Sequence, residues 1–179
     1  FRAFQFANTA MLIQFSLDDS FYKEVQNTSL DKSIPNLSES QKNSSYRPFQ
    51  LAFLLISIES VINTNSKYRN ESVDLIWFPT GGGKTEAYLA VAALTILWRR
   101  MSYTEYSGVS VIMRYTLRLL TAQQFERASK LITVLEYLRQ QFTSELKKDV
   151  ISIGLWIGGD STPNNLKSAI NGIKSIDKN

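Results

Sequence analysis

The run DLIWFPTGGGKTEAYLA, residues 74–90, constrains this chain more than any other stretch. Three consecutive glycines cannot continue a regular element, whereas β-prone residues precede them and helix formers follow almost without a break from Thr85 to Met101. A glycine loop between a strand and a helix lets successive N–H groups converge on phosphate oxygens, and the start of the helix adds partial positive charge. Lys84 is placed to neutralise the β- and γ-phosphates of ATP, and Thr85 to offer its hydroxyl to Mg²⁺, so Thr80, Gly81, Gly82, Gly83, Lys84 and Thr85 form a candidate nucleotide site. The general pattern G-x-x-x-x-G-K-[ST] is broken at its first position, where Phe78 stands, which weakens a kinase or GTPase reading. The bland alternative is a glycine-rich turn beside an unrelated lysine.

Composition narrows the chemistry. The chain has 179 residues without a single cysteine or histidine, which excludes disulfide scaffolds, thiolate zinc sites, catalytic triads and histidine acid–base catalysis within it. Hydrophobic residues at 44% and charged residues at 20% are ordinary for a globular domain. No apolar run reaches the roughly 18 residues of a membrane span, and residues 51–58 read as a buried helix. No signal-peptide pattern opens the chain, and the sequons at Asn27, Asn36, Asn43 and Asn70 read as chance matches, so a cytoplasmic location is expected. The net charge of +4 falls wholly in residues 73–179, which carry thirteen basic and nine acidic side chains, a bias compatible with a polyanionic ligand or with a solvated surface.

Along the chain, helices are predicted over residues 4–15 and 49–62, separated by a polar stretch, 16–45, that contains Pro35 and reads as a loop or insertion. Strands are predicted at 73–78, 109–113 and 150–157. Gly108 breaks the chain before the second of them, and Phe125, Ala128, Leu131, Ile132, Leu135 and Leu138 recur at helical spacing after it, with Glu126, Arg127, Lys130 and Arg139 assigned to the opposite face. Strands alternating with helices imply an α/β domain with a parallel sheet. Arg2-Ala3-Phe4-Gln5 and Arg47-Pro48-Phe49-Gln50 each open a helix, an echo too isolated to define a repeat.

Three further segments carry a resemblance. YRPFQ, residues 46–50, looks like the adenine-recognition element of superfamily-2 helicases, with Gln50 as the residue that reads the base and Arg47 and Phe49 helping to hold it. TLRLLTAQ, residues 116–123, aligns without gaps with that family's PTRELAxQ, keeping Arg118, Leu120 and Gln123 but replacing the leading proline by Thr116. Gly158-Gly159 resembles the paired glycines that let a nucleic-acid strand approach the main chain. WFPTGGGKTEAYL, MRYTLRLLTAQQFERA and IGLWIGG together are similar to the helicase subunit of the DISARM antiphage defence system.

The resemblance implies a helical N-terminal segment, 1–45, followed at 46–179 by the first part of a RecA-like domain that uses ATP and Mg²⁺. It also implies DNA, single- or double-stranded, contacted mainly through phosphates at Thr116, Arg118, Gly158 and Gly159, and partner subunits of a defence complex. Phe1 in place of a methionine and the polar tail lead us to expect an excerpt of a longer protein. An acidic Walker B pair does not follow the third predicted strand, and Asp18-Asp19 sits in a region without strand character. Three readings therefore stand: a motor fragment of a DNA helicase or translocase that does not turn over ATP alone, a phosphate-loop ATPase of another class, and a non-hydrolysing nucleic-acid-binding or assembly module.

Overall fold

The computed structural model describes residues 1–16, 45–77, 79, 81–115, 118–156, 163 and 165–176. Among the described residues the regular elements are helices: α1 (Arg2–Ser16), α2 (Pro48–Ile62), α3 (Lys67–Glu71), α4 (Lys84–Ser102), α5 (Arg118–Gln141), α6 (Thr143–Leu146) and α7 (Leu166–Ile176).

Helix α4 is the hub, and its composition explains why. Ala87, Ala90 and Ala93 let neighbouring helices approach closely, while Leu89, Leu94 and Leu97 fill the space between, all of them essentially inaccessible to solvent. Glu86 in its first turn and Arg99 and Arg100 in its last turn complement the helix dipole. Helix α1 packs on α4 and α5 along a stripe of Ala3, Phe6, Ala7, Ala10, Met11 and Ile13, the spacing of one helical face. Helix α5 answers with Ala128, Leu131, Val134, Leu135 and Leu138. At the end of α1, Arg2 lies over the Phe6 ring at 4.3 Å and pairs with Glu145 of α6, Nε to Oε2, at 2.9 Å.

Helix α2 is apolar on almost every side, yet it is not the buried helix its composition suggests. Its inward stripe is Gln50, Leu54 and Ser57, facing α4, while Leu55 and Ile56 are 51% and 68% exposed. Helix α7 packs on none of the other helices among the described residues.

The expected parallel sheet is absent from the described residues, and an α/β RecA-like layer is not what this chain shows. The described parts of the three predicted strands, 73–77, 109–113 and 150–156, run without ladder pairing. Val73, Trp77, Ile112 and Trp156 are largely exposed. β-propensity states how well a residue fits a pleated surface beside a paired neighbour, and these segments form no ladder with one another. Two backbone groups within these segments, Val109 O and the Ile151 N–H, and others just before them are held by side chains of the helices. Arg99 donates to the carbonyls of Ser107 and Val109, the latter at 2.8 Å. Arg100 donates to the carbonyls of Leu146, at 2.8 Å, and Asp149. Glu136 Oε2 accepts the N–H of Ile151 at 2.9 Å.

That last group also corrects the assignment of Arg139 to a solvent face. Arg139 is buried, pairs with Glu136 at 2.6 Å and donates to the carbonyl of Lys148 at 3.0 Å. Burial pushes the Glu136 carboxyl up, but hydrogen bonds from Arg139, the Ile151 N–H and Gln140 outweigh it and hold the group below its ordinary value of 4.5. A depressed carboxylate contributes stability above its unfolded pKa and loses it as pH falls through the folded one. Glu136→Gln is therefore expected to flatten the acid limb of a pH–stability curve below about pH 4.5, measured by urea unfolding at each pH. An acid limb as steep as that of the unaltered chain contradicts the role.

Candidate functional site

The glycine loop and the first turn of α4 are the best-built polar region of the molecule. Gly81 and Gly83 take left-handed conformations, φ +79° and +87°, so the chain reverses twice before the helix begins at Lys84. Pro79 O accepts the N–H of Gly82 at 3.3 Å and the Lys84 ammonium at 2.9 Å, which folds the lysine back over its own loop.

Helix α2 clamps this loop from below. Gln50, 4% exposed, donates from Nε2 to Gly83 O at 2.8 Å, while its Oε1 accepts the N–H of Arg47 at 2.8 Å. Arg47 reaches Gly82 O at 2.9 Å. The two residues assigned to adenine are thus brought to the loop, as their spacing implied, but here both ends of the Gln50 amide are engaged by backbone. What remains for a base is the second Nε2 hydrogen and the second Oε1 lone pair. Tyr46 beside them is buried against the core, and burial pushes its phenol up to about 12.

The loop glycines differ in what they tolerate. A Cβ at Gly83 would lie 2.7 Å from Gln50 Nε2, whereas one at Gly81 meets nothing within 4 Å. Gly81→Ala should therefore cost only the left-handed backbone penalty, about 1–2 kcal/mol. Gly83→Ala should add displacement of the Gln50 clamp, a further 1–3 kcal/mol or so for the buried groups left unpaired. Chemical denaturation of the two variants checks the order, and equal losses would remove the clamp from consideration.

A second helix reaches the same place. Thr85 Oγ1 lies 3.2 Å from Gln124 Oε1 and 3.2 Å from the Tyr88 hydroxyl. Glu86, buried, receives Arg127 of α5 on Oε1. These two links tie the first turn of α4 to the second and third turns of α5, and pattern reading missed them. It singled out Gln123, which is exposed, whereas the neighbouring Gln124 faces Thr85. One residue is about 100° of helix, and only knowledge of which face α4 covers separates the two.

Of the remaining candidates, Arg118 opens α5. Thr80, Thr116, Gly158 and Gly159, together with Phe78, lie outside the described residues.

The residues present fit a magnesium–triphosphate ligand. Two glycines hold the turn open, a lysine sits at the start of a helix whose first N–H groups lack intrahelical partners, and the following threonine carries a hydroxyl. Among the described residues no group of three or more His, Cys, Asp or Glu side chains could hold a metal ion. At this loop the hydroxyl of Thr85 is the group that would meet a metal brought in with the nucleotide's own oxygens.

Comparison with known proteins gives one close relationship. The chain is 41% identical over 172 residues, 93% of its length, to the DISARM protein DrmA of Bacillus paralicheniformis. It spans 15% of that protein's length. No protein-family model matches the chain, and no solved structure matches it.

Proposed function

We propose that this chain is the nucleotide-binding part of an ATP-dependent DNA helicase or translocase that serves a DISARM-like phage-defence system. The observation that carries the reading is the loop itself: left-handed Gly81 and Gly83, Lys84 at the start of a helix, and a clamp from Gln50 and Arg47 on the loop's carbonyls. The similarity to a DISARM protein over nearly the whole chain supports the defence role. Lys84 would exchange Pro79 O for phosphate oxygens, the α4 N–H groups would take a share of the negative charge, and Mg²⁺, when bound with the nucleotide, would neutralise the rest. Isothermal titration of ATP with MgCl₂ into the chain tests this, with saturable one-to-one binding expected. Absence of any nucleotide-dependent signal overturns it.

DNA is proposed as the second ligand, held by phosphates at the start of α5, where Arg118 stands about two turns before Gln124. Such contacts carry no base information, so affinity should fall with salt and vary little with sequence. Arg118→Ala is expected to reduce the salt slope by about one unit and to weaken all sequences alike, read by fluorescence anisotropy at several salt concentrations. An unchanged slope would move the reading toward an assembly module, the alternative that uses no DNA phosphate contact there.

A further inference from the structure

We propose that Gln124 of α5 is a positioning residue for the magnesium ion of a bound nucleotide, acting through the hydroxyl of Thr85. The inference rests on the triphosphate reading of the loop. A threonine hydroxyl has one hydrogen and two lone pairs. Gln124 Oε1, 3.2 Å from Thr85 Oγ1, is an acceptor only, so the hydrogen is directed to it. With that hydrogen committed, the Tyr88 hydroxyl at 3.2 Å is the donor of the pair and occupies one lone pair. One lone pair is left, on an oxygen whose hydrogen is turned away from it.

That is the state in which a neutral hydroxyl best meets a hard cation, whose ligands are oxygens presenting electron density. A hydroxyl without an acceptor spends part of its time with the hydrogen toward the ion. The geometry is fixed rather than incidental. Arg127, one turn beyond Gln124, grips Glu86, the residue next to Thr85, so the two helices are locked in register where the hydroxyl meets the amide. Tyr115, in the segment before α5, interacts with Tyr88, its phenol pushed up by burial and then by Tyr88.

The test uses a non-hydrolysable ATP analogue and the full chain, with analogue affinity measured in EDTA and across a MgCl₂ series. Gln124→Leu is expected to leave affinity in EDTA unchanged and to raise the magnesium needed for half of the metal-dependent gain by about two- to tenfold, the range of a single neutral hydrogen bond. Gln124→Glu keeps an acceptor and adds charge, and is expected to need less magnesium than the unaltered chain. A magnesium requirement unchanged in Gln124→Leu overturns the proposal, as does an equal loss with and without metal, the mark of a merely structural contact. Should Gln124→Leu unfold, Gln124→Glu decides alone: an unchanged or raised requirement overturns it. Failure of the unaltered chain to bind the analogue overturns the loop reading and this inference together. Binding that Lys84→Ala abolishes while Gln124→Leu leaves its metal dependence intact overturns this inference only.

Discussion

Lys84→Ala is expected to weaken binding of magnesium–ATP by about tenfold to a hundredfold while leaving the fold intact. The ammonium makes a charge-assisted contact with phosphate, and such bonds are worth about 1.5–3 kcal/mol, with 1.4 kcal/mol per tenfold. In the absence of nucleotide the same ammonium donates to Pro79 O, on the exposed edge of the loop, where water can replace it. The unfolding midpoint should therefore move by less than about 0.5 kcal/mol equivalent. This separation makes the variant informative, because a loss of affinity cannot be blamed on a loss of structure. Lys84→Arg is not a conservative control, since a planar fork does not reproduce a compact point charge inside a tight loop. In cells carrying the whole protein, Lys84→Ala is expected to abolish phage protection. Unchanged nucleotide affinity in titration calorimetry would remove the phosphate-loop claim, and surviving protection would remove the motor.

Arg100→Met is expected to destabilise the chain by about 1.5–3 kcal/mol, the worth of hydrogen bonds from a charged donor to buried carbonyls. Arg100 is 7% exposed at the end of α4, donates from Nε to Leu146 O at 2.8 Å and from its other arm to Asp149 O, and lies 5.0 Å from the centre of the Tyr106 ring. Burial lowers its pKa from the ordinary arginine value, a sign that the charge is held at a cost which these partners offset. Methionine fills much of the volume but leaves both carbonyls without their donor. It also releases segment 147–150, which Arg100 and Arg139 hold jointly. Urea unfolding should show a lower midpoint with an unchanged slope. A loss below about 1 kcal/mol would mean that water satisfies those carbonyls and that the clamp is unimportant.

The residues show where pattern reading succeeds. The helices at 2–16, 48–62 and 84–102 were legible within two residues of their ends, because a run of apolar or helix-forming residues, opened by Pro48 in the second and by Gly83 in the third, needs no partner to be recognised. The position of the loop was legible for the same reason: glycines, then Lys84 and Thr85, then a helix, all within one short stretch. Gln50 was singled out by its distance before the loop, and it does reach Gly83. What it does there, spending both ends of its amide on backbone, could not be read from distance along the chain.

The sequence by itself determined the helices and the glycine loop, because both are properties of neighbouring residues: backbone freedom, helix propensity and the periodicity of one face. Tertiary structure alone decided the rest. Segments 73–77, 109–113 and 150–156 carry strand composition, but a strand exists only where another chain segment offers a ladder, and in the last two Arg99 of α4 and the carboxylate of Glu136 hold a backbone group each instead. Arg139 was read as solvated from its charge, yet a partly buried Glu136 beside it and the open carbonyls of the following turn drew it inward. Gln124 and Arg127 became part of the site because α5 packs against α4 in one particular rotation. Charge, amide and hydroxyl are local facts, whereas partnership between them is set by which faces the packing brings together.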